Sequence, residues 1–179
     1  GKVVGGSSSI NALVYIRGQR QDFDRWRDAG NLGWGYDDVL PFFKSMEDND
    51  RGGDAYHGSG GPLTVTDPAR KVHPLCSAFF KAAEEAGLAR NPDFNGATQE
   101  GVGHFQMNIK NGRRHSSADA FLRPALKRPN LTLMTGALVT KVLFAGRHAK
   151  AVVYTKGGQQ HTVRARREVI LCGGSINTP

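Results

Sequence analysis

The sequence predicts an α/β protein, and three stretches carry that expectation. Residues 74–87, PLCSAFFKAAEEAG, place Leu75, Ala78, Phe79, Ala82, Ala83 and Ala86 on one face of a helix. Between 139 and 166, three segments separated by glycine turns read as a β-meander. Val169-Ile170-Leu171-Cys172 is apolar throughout, which implies burial on both faces and hence a central strand of a layered sheet.

The chain opens on GKVVGGSSSINALVYIRG. Its glycines and serines predict a short helix or tight loop over 7–17, with a serine capping exposed backbone N–H groups. Asp22 to Trp26 reads as an amphipathic turn, Gly30 to Gly35 as a loop, and YDDVLPFFKSM at 36–46 as a helix with Pro41 near its start. The polar run Asp48 to Gly53 is a surface connection. Leu63 and Val65 alternate with Thr64 and Thr66 as in a strand. In the 74–87 helix, Pro74 suits the first turn and Gly87 the stop. Residues 101–110 suit another strand. Ser116 or Ser117 caps a helix over SADAFLRPALK, which Pro129 prevents from continuing. Strands follow at 131–134, 139–144, 150–155 and 161–166, then the apolar strand at 169–172 and the turn Gly173-Gly174-Ser175.

Composition is that of a globular protein, 39% hydrophobic and 22% charged over 179 residues, with no apolar run long enough to span a bilayer. No signal-peptide pattern is present, and the abrupt glycine-rich start leads us to expect an internal piece of a longer protein. Cys76 and Cys172 suit small apolar positions in a helix and a buried strand, which favours a reduced, cytoplasmic setting. The net charge of +8 comes from basic groups scattered over elements of different type without interleaved aromatics. That pattern argues against a nucleic-acid surface, although a module binding anions or nucleic acid stays as the alternative function. The six histidines show no zinc spacing, so no metal site is expected and each reads as a surface or satisfied polar group.

Glycines let backbone N–H groups approach a ligand, so Gly5-Gly6-Ser7-Ser8 suits an anionic or extended cofactor. Gly1 and Gly6 have P-loop spacing, but Ser7 stands where the lysine is required. G-x-G-x-x-G and G-x-S-x-G are both absent, and the loop His57-Gly58-Ser59-Gly60-Gly61 has no nucleophile beside it. By residue type alone, Gly5 and Gly6 also serve a sharp turn, Asn11 a helix cap, Val139 a strand core, and Gly173-Gly174 a strand end.

The opening stretch followed by DFDRW and GWGYDDVLPFFKSME resembles the first signature region of the glucose-methanol-choline (GMC) oxidoreductase family. YHGSGGPLTV, DFNG with QEGVG, NGRRHSSADAFLRPALKRPNLT and REVILCGGSINTP agree with that family in the same order, and the choline dehydrogenases are the most similar group. The resemblance implies an incomplete FAD/NAD(P)-binding, Rossmann-like domain with a β-meander and part of an α+β substrate-binding domain. It assigns 1–59 to the FAD domain with a flavin-contacting loop and cover helix, 60–110 to the substrate domain, and 111–179 to the FAD domain again. Within 60–110, Gly103 to Asn108 is the candidate strand near the substrate cavity.

The activity implied is oxidation of an alcohol, choline or another primary alcohol, by FAD, with hydride passing to flavin N5. The stretch from Gly5 to Val14 would run along the cofactor: Gly6 and Ser7 would meet the phosphate and ribitol region, Asn11 would hydrogen-bond the flavin, and Ala12, Leu13 and Val14 would pass beside the ring. Val139 matches a position whose backbone meets the adenine, and Gly173, Gly174 and Ser175 form a second cofactor-facing turn. The family's catalytic histidine lies beyond the second signature, so no catalytic residue is assigned and the piece is expected to be inactive alone. The partner implied is a small alcohol; the electron acceptor and any membrane association of the parent stay open.

Overall fold

The computed structural model describes residues 1–68 and 72–178, which form two compact units, Gly1–Arg128 and Pro129–Pro179. In the first unit, a 3-10 turn over Gly6–Ser9 leads to strand β1 (Val14–Tyr15) and helices α1 (Arg20–Asp28) and α2 (Tyr36–Met46). Each helix start is closed by an acidic side chain three residues on. The Asp22 carboxylate accepts the Gln19 N–H, and that of Asp38 accepts the Gly35 N–H, both at 3.0 Å. The helices meet through Phe23, which is buried and lies edge-on to Trp26 and Phe43.

β2 (Glu47–Asn49) pairs in parallel with β3 (Leu63–Val65), joined by the HGSGG loop. Gly58 and Gly61 are required there, because a Cβ on either would lie within 3 Å of the backbone of residues 44 to 47. α3 (Leu75–Glu85) follows and stops at Gly87, whose φ of +90° suits a residue without a Cβ. The helix has the expected period but another phase. Phe80 and Ala83 are buried with Val102, and Cys76 packs against them, whereas Leu75 and Phe79 are exposed. The orientation follows Phe80, whose ring takes His104 edge-on at 4.6 Å and the Arg90 guanidinium at 3.7 Å.

The expected strand over 101–110 forms only as β4 (Gln106–Met107), antiparallel to β1, and β5 (Ile109–Lys110), paired with β6 (Arg113–Arg114) across an Asn111-Gly112 turn. Both turn residues have positive φ, the type I′ geometry that Asn-Gly favours. The segment after Ser116 opens as a wide π turn over Ala118–Leu122 before α4 (Arg123–Ala125). Pro124 cannot donate to the carbonyl four residues back, and the Arg123 N–H reaches Ala118 O instead.

The second unit is a meander of β7 (Leu138–Ala145), β8 (His148–Lys156) and β9 (Gln159–Arg164), all antiparallel, with turns at the expected glycines. Ala151 and Val153 of the central strand are buried. Two expectations fail in this unit. Residues 131–134 form no strand, and the buried strand predicted over Val169–Cys172 is unpaired, with Ile170 74% and Leu171 52% exposed and Cys172 exposed. A parallel central strand needs neighbours on both edges, and among the described residues none lies beside it. A short helix, α5 (Gly174–Asn177), closes the unit. Among the described residues, no helix is long and apolar enough to cross a membrane.

Candidate cofactor site

Gly5 has φ +92° and Gly6 +58°, a left-handed pair that turns the chain into the Gly6–Ser9 helix. Their surroundings differ. A Cβ on Gly5 would lie 2.3 Å from Ser9 Oγ and 3.1 Å from the Ala118 methyl, while one on Gly6 would meet nothing within 4 Å. Gly5 is thus fixed by its own protein, and Gly6 borders open space. The serines brace the turn rather than capping it. Ser8 and Ser117 hydroxyls both donate to the Gly5 carbonyl, Ser8 Oγ accepts the Ser117 N–H at 3.0 Å, and Ser9 Oγ donates to Val4 O.

Asn11 does not cap a helix. Its side-chain oxygen accepts the Leu13 N–H at 3.0 Å, a local Asx turn, and also accepts Nη1 of Arg114 at 2.7 Å. Arg114 further donates to the Asn11 and Ser8 carbonyls, at 2.7 and 3.1 Å. With the amide oxygen doubly engaged, the Asn11 NH2 group is the outward end, and it has no partner among the described residues. Leu13 sits at φ +69°, unusual for a side chain of that size, held on both sides because its carbonyl accepts the Asn108 N–H. Ser7, Asn11 and Ala12 are exposed, Leu13 and Val14 half-buried.

Arg114 was not legible as a site residue, lying 103 positions from Asn11. The Asn111-Gly112 hairpin signal was present and would have marked the element that presents it. In the second unit, Val139 lies on the outer strand β7 opposite Tyr154 and is 52% exposed. Gly173, Gly174 and Ser175 are exposed at the start of α5, Gly174 with φ +86°.

His57 is buried, with Nδ1 2.9 Å from Glu47 and Nε2 2.8 Å from Asp93. Both ring nitrogens are thereby committed, and it is a satisfied polar group. Burial works to lower its pKa, but hydrogen bonds to Asp93 and Glu47 and their charges outweigh burial and raise it from 6.5 to about 9. His115 goes the other way, lowered by burial and by Lys110, and its Nδ1 accepts the Thr64 N–H. Among the described residues no group of three or more His, Cys, Asp or Glu is arranged to hold a metal ion. A cavity of about 250 Å³ opens between residues 17–21 and the loop at 94–100, away from the glycine turn.

The family model for GMC oxidoreductases matches residues 1–179, and the chain belongs to that family. It is 48% identical over its whole length to an oxygen-dependent choline dehydrogenase of Brucella anthropi, covering 32% of that protein, and 46% identical to the mitochondrial choline dehydrogenase of Homo sapiens, covering 30%. The chain therefore spans about a third of the length of these relatives. Among solved structures it is similar to pyridoxine 4-oxidase from Mesorbium loti, with a TM-score of 0.82, 39% identity, and coverage of 88% of this chain and 31% of that one. An FAD-dependent oxidoreductase from Chaetomium thermophilum matches with a TM-score of 0.84 and 29% identity, over 92% of this chain and 31% of that one. These likenesses fit an incomplete Rossmann-like FAD-binding fold.

Proposed function

We propose that this chain forms part of an FAD-dependent oxidoreductase that oxidises the CH–OH group of choline or another primary alcohol. The observation that carries the reading is the Asn11 amide, locked by Arg114 and Leu13 so that its NH2 faces outward beside a glycine turn open to a ligand. Gly6 leaves room along that face, and a Cβ there would occupy it. When bound, FAD supplies a hydride acceptor at N5, the chemistry the side chains themselves lack.

The residues of this chain hold and orient. Gly6 and Ser7 would border the phosphate and ribitol portion, with Gly5 shaping the turn beside them, Asn11 would donate from its amide, and Ala12, Leu13 and Val14 would line the ring. Val139 and the Gly173, Gly174 and Ser175 turn are assigned to the same cofactor on family resemblance. The grouping of 111–128 with 1–59 gains support from Arg114 and Ser117, which bond directly to the glycine turn; the assignment of 129–179 to the FAD domain and of 60–110 to the substrate domain rests on family resemblance. We further infer a cytoplasmic setting, with membrane association of the parent left open, and expect the piece to be inactive alone.

The test uses the intact protein with FAD. Anaerobic addition of choline, or of a series of primary alcohols, should bleach the visible flavin band. A flavin that no alcohol in the series reduces would overturn the reading.

A further inference from the structure

Four charged side chains from four separate segments meet inside the first unit. Arg17 follows β1, Glu47 opens β2, His57 lies in the HGSGG loop and Asp93 in the loop at 91–96. The side chains of Arg17, Glu47 and His57 are 3%, 0% and 4% exposed, and that of Asp93 23%. The Arg17 guanidinium donates to Glu47 Oε2, and the imidazole bridges Glu47 Oε1 and Asp93 Oδ2. Asn49 Nδ2 lies 3.0 Å from the same Nδ1 but donates to Glu47 Oε1 at 2.7 Å, so with both carboxylates ionised the imidazole donates from each ring nitrogen, and the chain of two cations and two anions is neutral as a whole. Such a set is costly to desolvate and adds little net stability over an apolar core, so what it contributes is geometry.

That geometry ends on the backbone beside β1. Asp93 Oδ1 accepts the Asn95 N–H, Asn95 Oδ1 accepts the Arg17 N–H at 2.8 Å, and Asn95 Nδ2 donates to Tyr15 O at 3.1 Å. Gln99 donates to Arg17 O at 2.8 Å, and Arg17 itself reaches across to Tyr56 O at 2.7 Å. β1 has only two residues, so its ladder to β4 ends at Tyr15, and beyond it side chains take over the backbone groups. On the other side of Val14 stands Leu13 in its left-handed conformation, which persists only where its surroundings fix it.

We infer that the buried Arg17, Glu47, His57 and Asp93 chain, acting through Asn95, is a positioning device that clamps the Tyr15–Arg17 backbone and so holds the stretch Asn11–Val14 in its cofactor-facing form. The inference rests on the cofactor reading given above for its consequence, though not for the clamp. None of the four side chains is assigned contact with the cofactor; they act through the main chain.

Two variants of the intact protein test it. His57→Gln breaks the chain, and Asn95→Ala cuts its link to the backbone while leaving every charge paired. Amide hydrogen exchange at residues 13–17 should accelerate by about tenfold or more in both, with the amides of β8 unchanged, and FAD affinity should fall by about tenfold. Exchange that rises uniformly, or not at all, at 13–17 in the folded Asn95→Ala protein would overturn the clamp, as would local acceleration with FAD affinity unchanged. A wild-type protein that takes up no FAD would refute the cofactor reading instead, and the exchange measurement would still decide on the clamp.

Discussion

Arg114 donates to Asn11 twice, from Nη1 to the side-chain oxygen and from Nη2 to the main-chain oxygen, each at 2.7 Å. The bidentate grip fixes which end of the amide faces out, because the same oxygen also accepts the Leu13 N–H. Replacing Arg114 by Met removes the grip and frees the amide to rotate. FAD affinity of the intact protein should fall by about ten- to a hundredfold. Arg114→Lys should recover little of it, because a single ammonium cannot serve both oxygens in the same geometry. Fluorescence titration with FAD reads both outcomes; equal affinity in all three proteins would refute the role.

Gly5 and Gly6 are adjacent and both left-handed, yet their substitutions should behave differently. Gly5→Ala meets a strained φ together with Ser9 and Ala118, and should cost about 2 kcal/mol or more of stability. Gly6→Ala meets open space and should cost about 1 kcal/mol, the left-handed penalty alone. Its methyl nevertheless occupies the face where the cofactor is proposed to lie, so FAD binding should weaken more than stability does. Denaturant titration alongside FAD titration separates the two; a Gly6→Ala protein that binds FAD normally would contradict the cradle.

Local signals carried far in the sequence, and pairings between distant segments did not. The bounds of α2 and the Gly157-Gly158 turn of the meander follow from side-chain chemistry within a few residues, and both were readable. The buried face of α3 depends on what Phe80 meets, His104 and Arg90, and periodicity alone placed Phe79 there instead. Val169–Cys172 has the composition of a central strand, but a strand exists only with paired neighbours. The glycine turn and Asn11 were legible because they are contiguous. Arg114 and the His57 cluster were not, since Glu47, His57 and Asp93 come together only through the fold.

The His57 cluster makes stability depend on pH at both ends. With its folded pKa raised to about 9, His57 contributes fully below its unfolded value near 6.5, and the contribution fades as pH rises through about 9. The groups facing it are Glu47 and Asp93, with Arg17 behind Glu47. Burial works to raise the Asp93 pKa, but the His57 hydrogen bond and the Asn95 N–H keep it below the usual value, so its share is lost on acidification instead. The melting temperature of the intact protein should therefore decline between pH 6.5 and 9, by an amount equivalent to at most about 3 kcal/mol. His57→Gln should flatten that alkaline limb; a wild-type profile already flat there would contradict the imidazolium.

Asn11→Asp is the most direct probe of the proposed cofactor seat. The substitution keeps the oxygen that serves Leu13 and Arg114 and replaces only the outward NH2, turning a donor into an acceptor with negative charge. Calorimetric titration of FAD into the intact apo-protein should show affinity reduced by about a hundredfold, with the melting temperature of the apo form not lowered, since a carboxylate still serves Arg114. Equal affinity in the two proteins would mean that no flavin lies against Asn11.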